Sequence, residues 1–332
     1  MVLSLYHPAE NNRNERKITI KECIMNTSKA QAIRRVAGIA VIAALSVAGI
    51  LLTGCPDEGG GSQMVEVEMV QVAGGSFEMG NPSGGDGAGP VHTVTLGGFY
   101  MGKYPVTQEQ YLAVTGSNPS SNSADPASGE VQGKRPADQV SWYDAIEFCN
   151  ALSVKNGFSP YYTIDKVNED PNNTNSGVLT DTLKWTVTRN SAATGYRLPT
   201  EAQWEYAAKG GNPNAAGWVG YTYSGSDKAG DVAWYFSNSN IRSREVGKKA
   251  PNGLGLYDMS GNVWEWCWDW YGSYASGSQA DPLGAVSGDN RVIRGGSFYD
   301  PAEHVRSDNR YYYNPMYKTS SVGIRLVRPM KN

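Results

Sequence analysis

Between Arg294-Gly-Gly-Ser297 and Gly323-Ile-Arg-Leu-Val-Arg328 the chain carries Phe298, Tyr299, Asp300, Pro301, His304, Val305, Asp308, Tyr311, Tyr312, Tyr313, Tyr317, Thr319, Ser320 and Ser321. The chemistry these residues offer is recognition. Tyr rings give broad contact area at small rotamer cost, and hydroxyls and carboxylates give adjustable hydrogen bonds. The run has neither a helical nor a strand period, so about 291–328 reads as an adaptable ligand-binding surface on a fixed frame. Elsewhere reactive side chains are sparse. Cys149 falls on an amphipathic helical pattern and Cys267 in an aromatic strand, which favours buried free thiols. A disulfide between them stays open, because pairing depends on a Cα separation that sequence does not give.

The elements that must hold this surface announce themselves earlier. Val65, Val67, Met69 and Val72 read as strand, Gly74 to Gly80 as a strand with a bulge or turn, and Val91 to Phe99 alternates similarly. Three helices are marked by capping patterns: Thr107-Gln-Glu-Gln110, Ser141-Trp-Tyr-Asp144 and Thr200-Glu-Ala-Gln203. Gly116 and Gly210 stand where helices end. No helical pattern recurs after about Lys209. Trp264-Glu-Trp-Cys-Trp-Asp-Trp270 supplies rings large enough to build a core in a loop-heavy chain. The expected fold class is α+β, with few short helices and strands and long loops, over 64–332.

The N-terminal part reads as processing signal. Lys29, Arg34 and Arg35 precede an apolar run from Val36 to Leu52, closed by Leu52-Thr53-Gly54-Cys55. The run is short for a membrane span and its flanks fit a secretory signal. It resembles a bacterial lipoprotein signal with Cys55 as the lipidated residue; a short membrane helix is the alternative. Residues 1–24 contain nothing a signal needs and read as an over-called extension before Met25, with 25–54 as signal peptide and 55–63 as lipidated Cys and flexible tether. Residues 1–54 hold seven of the 29 Lys/Arg and three of the 32 Asp/Glu, which leaves 22 basic and 29 acidic residues beyond them. That balance argues against a nucleic-acid partner.

Gly74-Gly-Ser-Phe-Glu-Met-Gly80, Pro105-Val-Thr-Gln-Glu-Gln-Tyr111, Pro136 to Asn150, Tyr196 to Tyr206, Gly255 to Trp266 and Arg294-Gly-Gly-Ser297 occur in the order seen in formylglycine-generating-enzyme-like domains. The resemblance spans nearly all of 64–332 and implies a C-type-lectin fold. It also implies where that family's chemistry would sit. The two copper-binding cysteines fall at Asp300 and Val305, neither of which supplies the soft thiolate that monovalent copper needs. A three-histidine iron site needs more than His92 and His304, the histidines beyond the leader. A structural calcium is implied at Asp258, Gly261, Val263 and Glu265, where the two carboxylates are hard donors. No cofactor is required on this reading, and no catalytic residue is assigned.

The C-terminal segment further resembles the variable region of lipoproteins from spirochaetal diversity-generating retroelements. There, miscopied template adenines turn Asn codons into codons for Tyr, Asp, His, Ser, Thr, Val, Phe or Pro, but not Lys, Glu, Met, Gln or Trp. Every residue named at the head of this section is reachable. Glu303, Met316 and Lys318 would be frame, with Arg294, Gly295, Gly296, Arg306, Arg310 and Gly323. The expectation is a non-enzymatic lipoprotein, membrane-attached through its lipid and displayed on the cell envelope. Its variable region would bind a host or bacterial surface macromolecule, preferentially protein. A non-diversified envelope lipoprotein and an enzyme related to formylglycine-generating oxidases are the competing classes.

Overall fold

A computed structural model describes residues 63–83, 85–176 and 181–330. The leader, Cys55 and the tether through Ser62 lie outside the described residues. Among those described, no helix is long and apolar enough to cross a membrane.

The three capping patterns fold as expected. Helix α1 (Gln108–Thr115), α2 (Trp142–Lys155) and α3 (Glu201–Ala208) each begin with a reciprocal capping box, from Thr107 to Gln110, Ser141 to Asp144 and Thr200 to Gln203. These side chains satisfy amide donors that a helix start leaves unpaired. Gly116 closes α1 in the left-handed region at φ 79°. One further short helix, α4 (Ala229–Val232), and a 3-10 turn at Ala302–Val305 form after Lys209, where the sequence showed no helical period.

Among the described residues, twelve short strands make four small sheets. β1 (Met69–Val72), β4 (Phe99–Gly102) and β12 (Val327–Pro329) form one, ordered β1-β4-β12. β2 (Gly75–Met79), β3 (His92–Leu96) and β8 (Gln279–Ala280) form the second. β5 (Tyr162–Glu169) pairs with β6 (Trp185–Arg189). The fourth, ordered β10-β9-β7-β11, joins β10 (Arg310–Tyr313), β9 (Arg291–Arg294), β7 (Trp264–Trp270) and β11 (Val322–Gly323).

Strand β7 is the spine. Its alternation sends Trp264 and Trp266 into a core cluster with Trp142, Phe148 and Ile293, and Cys267 into a second cluster with Trp204, Tyr206 and Val292. Two core indoles pair their N–H groups: Trp142 Nε1 donates to Cys267 O at 3.0 Å and Trp266 Nε1 to Val140 O at 2.9 Å. Cys149 and Cys267 are free, fully buried and in different clusters. Burial raises both thiols, which opposes thiolate formation.

Candidate functional site

The C-terminal segment leaves β9 through Gly295 and Gly296, whose φ values of 101° and 72° favour glycine. A Cβ on Gly296 would stand 2.6 Å from Val305 Cγ1, so the glycine lets the 3-10 turn close over the strand end. The chain then forms β10 against β9 and returns as β11 beside β7.

Arginines fix this path from beneath. Arg294, fully buried, reaches Glu205 Oε2 at 2.6 Å and Glu201 Oε1 at 3.3 Å on α3, and donates to Ser307 O. Arg310 grips Glu201 with two bonds of 2.7 Å and donates to Gly87 O and Gly272 O. Arg325 forks onto Glu265 at 2.8–3.0 Å and also donates to Gly102 O and Tyr257 O. Charges paired in this way can stay buried where isolated ones could not, although Arg294 Nε is left without a partner. Arg306 is more exposed and pairs with Asp308 at 2.8 Å.

On top of this frame lies an exposed aromatic row. Tyr299 is 61% exposed, Tyr311 47%, Tyr312 38% and Tyr317 39%. Tyr311 and Tyr312 stack at 5.1 Å, and Tyr313 packs on Tyr317 at 4.8 Å. Tyr313 is half-buried, which, with Tyr311 and Tyr317 nearby, pushes its hydroxyl up to about 12. Pro301 is exposed and His304 half-exposed, with its Nδ1 3.7 Å from Asp300 Oδ1. Asp308 accepts from Asn81 Nδ2 as well as from Arg306. Thr319, Ser320 and Ser321 are half-buried, and their carbonyls take bonds from Gln139 N, Asn122 Nδ2 and Trp264 N.

Two residues expected on the ligand surface are instead core. Phe298 is 4% exposed and Val305 is 0%, the latter packed with Ala229 and Ala233. Asp300 is also partly committed: its Oδ2 accepts from Trp264 Nε1 at 2.9 Å and from Ser297 N–H and Oγ–H. The reason is geometric. The turn at Ala302–Val305 must cover the apolar end of α4, and codon reachability says nothing about which side chains face inward. The surface also extends beyond the segment. Phe236 meets Tyr299 edge-on at 6.4 Å and Tyr271 packs on Tyr312 at 4.3 Å, while the buried Trp264 supports Tyr311 from beneath at 5.9 Å. Nothing in the sequence marks Phe236.

The calcium set does not fit as folded. Both Glu265 oxygens are taken by the Arg325 guanidinium, and Oε2 also accepts Trp204 Nε1 at 2.6 Å. Asp258 accepts from Gly247 N and Asn262 Nδ2, and burial pushes its carboxyl up to about 6. A guanidinium bonded to the main donor opposes a dication at Asp258, Gly261, Val263 and Glu265. At the positions matching the copper cysteines stand an engaged carboxylate, Asp300, and a buried aliphatic, Val305.

A model of the sulfatase-modifying factor enzyme 1-like domain matches residues 60–330. The chain is similar to a protein named chaperone protein LppX of Paenibacillus barcinonensis, at 44% identity over 228 residues, 64% of this chain and 74% of that one. It is similar to the formylglycine-generating enzyme of Thermomonospora curvata at 29% identity, covering 75% of this chain and 87% of that one. The solved structure of Treponema denticola variable protein 1 superposes with a TM-score of 0.69 at 38% identity, over 79% of this chain and 95% of that one. The fold expected from the ordered motifs, a C-type-lectin-like domain of the formylglycine-generating-enzyme type, is the fold these matches share.

Proposed function

We propose that this chain, which belongs to the sulfatase-modifying factor family, works as a binding protein and not as an oxidase. The observation that carries the reading is the exposed row Tyr299, Tyr311, Tyr312 and Tyr317, held over a frame of buried Arg–Glu pairs. A rigid scaffold presenting Tyr-rich positions is a paratope design. The likeness to a variable protein of Treponema denticola supports it. Asp300, Pro301, His304, Asp308, Thr319, Ser320 and Ser321 border that row. The partner is a surface macromolecule, preferentially a protein, and the Cys55 lipid tethers the domain to the outside of the cell envelope.

Three measurements test this. Beside the gene, a near-copy of the segment encoding about 291–328, differing only at adenines, should lie next to a reverse transcriptase gene; a genome without it removes the diversification. Palmitate labelling should reach the wild type and be lost in Cys55→Ser, and surface proteolysis of intact cells should remove the domain. Enzyme-class relatives keep one competing reading in view. Stoichiometric copper in the purified protein, with oxidation of a sulfatase-type cysteine peptide, would establish that reading instead.

A further inference from the structure

Away from the tyrosine surface, a cavity of about 200 Å³ opens beside the end of β7, lined by Asp269, His92, Trp270, Tyr274, Met79 and Arg310 among others. Asp269 is 2% exposed. Its Oδ2 accepts the Glu201 backbone N–H at 2.8 Å, while Oδ1 has no hydrogen-bond or ion-pair partner among the described residues. Room beside that oxygen is kept by Gly284 (φ 78°), where a Cβ would come within 2.9 Å of Oδ1. Neither neighbouring cation hydrogen-bonds Asp269, although Arg291 Nε is itself left without a partner. Arg310 spends its donors on Glu201, Gly87 O and Gly272 O. Arg291 is held between Trp142 and Trp270, 3.9 and 3.4 Å from their rings, and donates to Trp268 O. His92 Nδ1 bonds Pro90 O at 3.1 Å; that bond needs the proton on Nδ1, which leaves Nε2 an acceptor.

We propose that this cavity is a binding site for a small organic ammonium ion, a primary amine with a short apolar tail. Its counter-ion is Asp269, its second acceptor is His92 Nε2, and its tail lies on the Trp270 and Tyr274 wall. A carboxylate oxygen that meets no protein donor and borders a cavity takes its donors from whatever enters there. An ammonium group brings three donors and a positive charge that aromatic walls attract. The site is independent of the tyrosine surface, so each reading can fail without the other.

The groups facing Asp269 are Glu201 from α3, Arg291 from β9, Arg310 from β10, His92 from β3 and Tyr274 from the loop after β7. Burial, then Glu201, pushes the Asp269 carboxyl up to about 7. The ionised fraction therefore falls from about nine-tenths at pH 8 to about one-hundredth at pH 5, and ammonium affinity with it, on the order of 100-fold. Calorimetric titration of the full chain with n-butylammonium and with n-butanol, its neutral isostere, tests the site. The amine is expected to bind at least 10-fold tighter at pH 8, and to lose that advantage at pH 5. Asp269→Asn keeps an acceptor for the Glu201 N–H and should remove the amine preference. Ala275→Trp, at the exposed mouth, should weaken the amine 10-fold or more without touching Asp269. Equal binding of amine and alcohol, no binding of either, an amine preference that survives Asp269→Asn, or amine affinity unchanged by Ala275→Trp overturns the proposal.

Discussion

Placing Asn at position 305, the residue a retroelement template would encode there, should destabilise the domain although the position lies inside the segment proposed to vary. Val305 is 0% exposed and packs with Ala229 and Ala233, with Gly296 close against it. Val305→Asn forfeits roughly 1.5–3 kcal/mol of apolar burial. It also places a carboxamide where no hydrogen-bond partner stands ready, at roughly 1–3 kcal/mol. A net loss of about 4 kcal/mol follows. For a domain of this size each kcal/mol moves Tm by roughly 2–4 °C, so the shift should be about 8–16 °C. Tyr299→Ser, at a side chain 61% exposed, should stay within about 1 kcal/mol of the parent. Urea titration followed by near-UV circular dichroism, with thermal melts alongside, separates the two. The division of the segment into core and surface is wrong if Val305→Asn melts within 2 °C of the parent, or if Tyr299→Ser costs as much.

The frame, the titrating acids and the thiols each give a further expectation. Arg325→Met should destabilise by about 3–5 kcal/mol because Glu265 is left charged and buried, and adding Glu265→Leu should recover much of that in a double-mutant cycle; additive losses would refute the pairing. Asp258, raised by burial to about 6 from the ordinary carboxylate value of 3.8, binds its proton more tightly folded than unfolded. Its effect therefore favours the folded state below about pH 4 and is lost as pH rises through about 6, so the stability difference between parent and Asp258→Asn should fall between pH 4 and 7; a flat difference refutes it. Cys149 and Cys267 should resist alkylation in the folded chain and react together with global unfolding in urea; quick labelling of either under native conditions contradicts their burial.

What the sequence made legible was local. Each capping box stands where its spacing placed it, because side chain and amide lie within one turn. The alternating Trp run became the central strand for the same reason: period two needs no distant information. What escaped were contacts closed across the chain. Glu265 looked like a calcium donor because Arg325, 60 residues on, is invisible to a local motif. Phe298 and Val305 looked like paratope because the genetic-code argument carries no direction; Val305 is turned inward by packing on α4, a distant stretch. Glu201 and Glu205 offered one missed signal. Two acids on a short helix otherwise rich in Ala and aromatics must answer buried cations, and the frame arginines were the available ones.

Those arginines also account for how so little regular structure holds the tyrosine surface. A buried ion pair adds little net stability over well-packed apolar side chains, so stability alone does not explain three of them. Their remaining donors do. Arg294 caps Ser307 O, Arg310 caps Gly87 O and Gly272 O, and Arg325 caps Gly102 O and Tyr257 O. All five carbonyls are backbone oxygens, several on loops outside any sheet ladder, and buried backbone oxygens need partners. Together the guanidinium groups thus do for these segments what a neighbouring strand does in a sheet. Their donors, held in a fixed fork, tie the chain to α3 or β7 at defined positions. Because these bonds run to carbonyls and to Glu201, Glu205 and Glu265, they involve none of the exposed side chains at Tyr299, Tyr311, Tyr312 and Tyr317. Changing those four leaves every frame bond in place, which is the physical condition a surface must meet if its residues are to vary while its backbone does not.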